Sequence, residues 1–169
     1  MVMKTLILGL GNTLLGDDGV GVHVVRRLEA ACAGAGYREY MDGGTLSFTL
    51  AGPIEDADRL IVIDAAQLGA EAGSVRLFSG DEMDRFITGS RRKSVHSVSL
   101  VDLLAIGHLA GWLSPQRALV GIQPGRIDWS DSLSASVARA VPVACKMVDR
   151  LTREWLYEEA GVRSCEQAI

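Results

Sequence analysis

The chain has 169 residues, of which 48% are apolar and 22% charged, a balance ordinary for one globular domain burying roughly 70% of its unfolded surface. The formal net charge of −4, from 17 basic and 21 acidic residues spread along the chain, excludes the basic footprint of a nucleic-acid binder. No apolar run approaches the roughly 18 residues of a membrane span and no signal segment precedes the first strand, so a single cytoplasmic domain over residues 1–169 is expected.

The segment KTLILGLG is a short apolar run bounded by glycine, which suits a strand buried on both faces. After a loop, GVGVHVVRRLEAACA carries Val20, Val24, Val25, Leu28 and Ala31 at helical spacing. YREYMDGG reads as a second strand ending in an Asp-Gly-Gly turn, and TLSFTLAG as a helix returning the chain to the sheet. RLIVIDAA, the most apolar strand, again stops at an aspartate. GSVRLFSG alternates between glycines and reads as an edge strand, while DEMDRFITGSRRKS is polar and loop-like, with a short helix at most. SVSLVDLLAIGHLAGWL forms a helix with serine caps before it, and RALVGIQPG is the last strand. A final helical stretch from Ser132 to Glu158 contains Pro142, which should kink or divide it; residues 159–169 show no pattern and read as a flexible tail.

Strands alternating with helices predict an α/β fold of three layers: a mostly parallel twisted sheet of about five strands with helices on both faces. The three cysteines, Cys32, Cys145 and Cys165, form neither a disulfide framework nor a zinc-spaced set. Cys32 and Cys145 fall in apolar helical patterns and read as buried thiols; Cys165 lies in the polar tail.

Ligands of open parallel sheets bind outside the carboxyl ends of the strands, and aspartates gather there. Asp17 and Asp18 follow the first strand, Asp42 ends the second and Asp64 ends the third. Carboxylates crowded at one edge repel unless a proton, a cation or a positive partner intervenes. Each has an ordinary explanation as well: Asp17 or Asp18 can cap the helix near Val20, and Asp42 before two glycines suits a turn. Asp64 resists most, because it closes the run LIVID and needs a partner if poorly solvated. A dinucleotide fingerprint fails at Leu14, and the acidic pair would repel a pyrophosphate; there is no Walker lysine, so no nucleotide is expected. His23 reads as a surface residue and His108 as packed or half-exposed, whereas His96 sits in the polar loop RRKSVHSVSL, free to point into a cleft. Two carboxylates and an imidazole make a hard-to-borderline divalent metal site with open positions.

GLGNTLLGDDGVG, followed in order by MDGGT, LIVIDA and SVHSVSLVDLL, closely resembles the maturation endopeptidases of nickel-iron (NiFe) hydrogenases, from the first strand to VGIQP. The resemblance implies cleavage of a C-terminal extension from the hydrogenase large-subunit precursor after nickel insertion. It carries metal contact onto Asp18, Asp64 and His96, and substrate recognition onto Asp42, Gly43, Gly44 and Thr45. Asp18 stands where some relatives carry glutamate. The nickel would arrive with the precursor rather than reside in the enzyme. Either a metal polarises the scissile carbonyl while a carboxylate directs water, or an acidic residue acts as general base, with Asp17 in reserve for that role. A non-cleaving chaperone that binds nickel or the precursor would need the same residues, as would a hydrolase with a metal of its own.

Overall fold

In the computed structural model of this chain, residues 3–31, 36–45, 48–89 and 97–166 are described. The apolar runs become strands because neighbouring strands satisfy their backbones and helices cover both faces. Among the described residues the strands are β1 (Thr5–Leu10), β2 (Arg38–Gly44), β3 (Arg59–Ala65), β4 (Val75–Ser79) and β5 (Arg117–Ile122). They lie in the order β2-β1-β3-β5-β4, all parallel except β4, which pairs antiparallel with β5 at the edge. The helices are α1 (Val20–Ala31), α2 (Ala51–Glu55), α3 (Asp81–Gly89), α4 (Ser97–Ala110) and α5 (Ala135–Glu166), with 3-10 turns at Gly16–Gly19 and Phe48–Leu50.

Side-chain alternation along the strands builds a core on each face of the sheet. Ile7, Ile61, Ile63, Val120 and Ile122 pack beneath α1 and α5. Leu6, Leu8, Leu60, Val62 and Leu119 pack beneath α2, α3 and α4. The three-layer architecture expected from the sequence is therefore present. No helix among the described residues is long and apolar enough to cross a membrane.

Several local expectations are corrected. The helix after β2 begins later than TLSFTLAG suggests, as the 3-10 turn and then α2, whose first turn tolerates Pro53. The polar segment after β4 is a nine-residue helix, held by buried Met83 and Ile87 and by a salt bridge between Arg117 and Asp84. Pro142 does not divide α5, because Val141, Ala144, Cys145 and Val148 on either side of it are all buried in the same core. The supposed tail from residue 159 continues α5 to Glu166. Buried Arg59 holds that end, donating Nη2 to the Trp155 carbonyl at 2.9 Å and pairing with Glu159 at 3.4 Å. Cys145 is buried, as expected, and Cys32 lies outside the described residues.

α1 lies directly on the backbone of β1 and β3. A Cβ at Gly21 would meet the Leu10 carbonyl oxygen at 2.5 Å and overlap that of Ile63. His23, two residues on, is half-buried rather than a surface residue, and its Nε2 is buried without a hydrogen bond. Burial, with Arg26 nearby, pushes its imidazole below the ordinary value of 6.5.

Gly21→Ala should therefore lower the melting temperature sharply or prevent accumulation of folded protein, because backbone atoms on both sides must move. Gly52→Ala in α2, where nothing lies within 4 Å of the added methyl, should be neutral or stabilising by about 0.5–1 kcal/mol. For His23, the unfolded chain binds a proton more readily than the folded one. Its stabilising contribution is present above pH 6.5 and lost as pH falls through the lower folded value. His23→Gln should flatten that part of the stability curve, measured by denaturant melts from about pH 7.5 to 5.

Candidate active site

The order β2-β1-β3 defines where the site can be. From β1 the chain passes through α1 to β2 on one side. It then returns across the other face through α2 to β3 on the opposite side of β1. Connections leaving in opposite directions open a crevice at the carboxyl ends of β1 and β3, the usual ligand position in such sheets. Asp18 lies on the 3-10 turn that follows β1, and Asp64 at the end of β3.

The loop after β1 folds tightly on itself. Gly11, at φ +124°, occupies backbone space closed to other residues, since a Cβ there would overlap the Asp18 carbonyl. Its N–H donates to the Gly44 carbonyl at 3.0 Å, carrying the β1–β2 pairing into the loop. The Asn12 N–H donates to Asp18 Oδ2 at 2.8 Å, and Leu14 N–H to Asn12 Oδ1 at 2.9 Å. The 3-10 turn that carries Asp18 packs against β3. Asp18 and Asp64 are 7% and 8% exposed, with little solvent around them.

Asp17 has a different position. It is fully buried and accepts hydrogen bonds from Gly125 N (2.9 Å), Arg126 N (2.8 Å), Ser134 N (2.6 Å) and Ser134 Oγ (2.8 Å). Burial by itself would push the carboxyl up, but the bonds from Ser134, Arg126 and Gly125 outweigh it and hold the group below its ordinary range. Ser134 stands just before α5 and its carbonyl accepts from Ala138 N at 2.8 Å, so Asp17 anchors the start of α5 rather than of α1. A saturated, ionised carboxylate of this kind joins loops; it is poorly suited to the reserve role of general base.

Asp42 shares the carboxyl edge with Asp64 but not the face. Strand alternation turns Asp64 toward the α2–α4 side, with Leu60 and Val62, and turns Asp42 toward α1 with Tyr40. There Asp42 pairs with Arg26 at 3.0 Å and accepts the Gly44 N–H at 3.1 Å. A register shift between Gly9 and Leu10 makes Gly43 a bulge residue, buried against Leu8 and Leu10, and leaves Thr45 exposed at the rim. The sheet thus sets Asp64 and Asp42 on opposite faces, while the 3-10 turn that carries Asp18 packs against β3. His96 lies outside the described residues, as do residues 91–93; α4 begins at Ser97, directly after it in sequence. Among the described residues no three His, Cys, Asp or Glu side chains gather as a metal site. His108 is exposed on α4, lining a groove against α3 that contains none of these aspartates.

Gln123, at the end of β5, went unnoticed in the sequence. Its side chain accepts Leu68 N–H at 2.7 Å and donates to Gln67 Oε1 at 3.0 Å, joining the loops after β3 and β5. The only available signal was a polar residue directly after an apolar strand.

The pattern of the hydrogenase maturation protease family (HycI) matches residues 22–151. The chain is 33% identical over 153 residues to the hydrogenase expression/formation protein HupD of Rhizobium leguminosarum bv. viciae, covering 90% of this chain and 75% of the relative. It is 31% identical to the hydrogenase 2 maturation protease of Escherichia coli K12, covering 90% and 92%. The solved structure of the E. coli hydrogenase maturating endopeptidase HybD superposes with a TM-score of 0.83 at 29% identity, over 90% of this chain and 93% of that one.

Asp17→Ala should strip the acceptor from three backbone N–H groups, at a cost of about 2–4 kcal/mol. Thermal unfolding should show the loss. Ser134→Ala, which removes only the hydroxyl, should cost about 1 kcal/mol.

Proposed function

The chain belongs to the hydrogenase maturation protease family, whose members are hydrolases acting on a peptide bond, and we propose that it removes the C-terminal extension of a nickel-iron hydrogenase large-subunit precursor once nickel has been inserted. What supports this reading is the burial of two carboxylates near one sheet edge: Asp18 on the turn packed against β3 and Asp64 at the end of β3. Hard oxygen donors with one imidazole suit a borderline divalent ion. Asp18 and Asp64, with His96, would meet the nickel that the precursor carries, so that metal insertion is read as part of substrate recognition. A carboxylate in the same cleft directs the attacking water. The Asp42–Thr45 turn contributes recognition at the rim, where Thr45 is exposed and Asp42 steadies the turn through Arg26.

A precursor incubated with this protein, with and without nickel, should lose its C-terminal peptide only in the nickel-loaded form, as read by intact mass. Asp18→Asn, Asp64→Asn and His96→Ala should each lower the rate about a hundredfold or more. Cleavage regardless of nickel would retain the protease and discard metal sensing. Binding of the nickel-loaded precursor without cleavage would favour the non-cleaving chaperone. Tight stoichiometric nickel binding by the free protein, in a calorimetric titration, would overturn delivery of the metal by the substrate.

A further inference from the structure

Three large apolar side chains stand exposed on the two loops that frame the crevice: Leu14 at 56%, Ile127 at 53% and Trp129 at 83%. Single exposed hydrophobic residues are ordinary on any protein, so their placement decides whether these matter. Leu14 lies on the loop after β1, and Ile127 and Trp129 on the loop between β5 and α5. Ser130 N donates to the Leu14 carbonyl at 3.0 Å, Gly16 N to the Ser130 carbonyl at 2.8 Å and Asp17 N to the Arg126 carbonyl at 3.0 Å. The buried Asp17 carboxylate fastens the same two loops from below. These bonds fix the loop on either side of Trp129, and Leu14 and Ile127 stand exposed on the same two bonded loops.

The patch is joined to the crevice through one residue. Asn12 accepts the Leu14 N–H on its side chain while its own N–H donates to the Asp18 carboxylate. The loop that carries Trp129 is itself net acidic, with Asp128 and Asp131 against Arg126, which is paired with Asp128 at 3.2 Å.

From this continuity and charge we infer that Leu14, Ile127 and Trp129 form the platform on which the polypeptide substrate docks, through a segment of apolar side chains flanked by basic residues. The inference rests on the proteolytic reading above and adds to it the place and chemistry of the encounter. Apolar side chains of the substrate cover Trp129 and Leu14, basic ones meet Asp128 and Asp131, and the chain then runs past Asn12 to Asp18. Buried tryptophans dominate protein interfaces, which makes Trp129 the residue most worth removing.

Steady-state cleavage of the nickel-loaded precursor tests the platform. Trp129→Ser and Ile127→Ser should each raise KM about tenfold, equivalent to about 1.4 kcal/mol, and leave kcat within about twofold. Their melting temperatures should match that of the unaltered protein, and Trp129→Phe should recover most of the lost affinity. Tyr157→Ser, at an equally exposed position on α5, should behave as the unaltered protein does. Unchanged KM in the Ser variants would overturn the platform, as would a lowered kcat with KM intact. So would a dimer of this chain that Trp129→Ser dissociates without change in KM. Binding of the nickel-loaded precursor to the unaltered protein and to Trp129→Ser, measured before turnover, separates this inference from the proteolytic one. If the unaltered protein does not cleave, weaker binding by Trp129→Ser still supports the platform; equal binding, or none by either, removes it.

Discussion

A carboxylate taken out of water costs several kcal/mol unless its lone pairs are filled, and the fold fills those of Asp17 completely. Four donors from one distant loop converge on it, and they keep it ionised in spite of burial. Because the loop after β1 and the loop before α5 are fixed by the same carboxylate, neither can move without breaking a charged hydrogen-bond cluster. Asp18, next in sequence, inherits that rigidity, and so do the start of α5 and the exposed side chains of the two loops. A protease site gains from being set before its peptide arrives.

The glycines of the first loop serve the same end by another route. The segment has the form of an anion cradle, an apolar strand running through glycines into a helix, yet it carries acidic groups. The structure accounts for this, since Gly21 brings α1 onto the β1 and β3 backbones and Gly11 lets the chain fold over Asp18. Close backbone contact is the purpose of these glycines, and it delivers a carboxylate to the switch point between β1 and β3.

The sheet then sorts the remaining acidic residues by pleat. Asp42 and Asp64 end parallel strands at the same edge, but their parity differs, so one meets Arg26 of α1 and the other the α2–α4 side. The division gives Asp42 a supporting task at the rim, on the face opposite Asp64. Buried polar groups elsewhere act in a similar way: Arg59 and Gln123 each tie segments far apart in sequence through side-chain hydrogen bonds.

The sequence by itself determined the alternation of strands and helices, the parallel sheet with β4 at its edge, and the acidic residues at three strand ends. These depend on hydrophobic periodicity and on turn chemistry, both local in the chain. The motif around Asp18 and Asp64 was legible for the same reason. Only the tertiary structure decided what each aspartate does. Asp17 is anchored by partners more than a hundred residues away, and Asp42 by a helix that must first pack on the sheet. The continuity of α5 through Pro142 and beyond residue 159 likewise follows from core burial and from Arg59, which outweigh local propensity. A residue's type restricts the contacts it can make, but the burial and partners that choose among them exist only once distant segments have met.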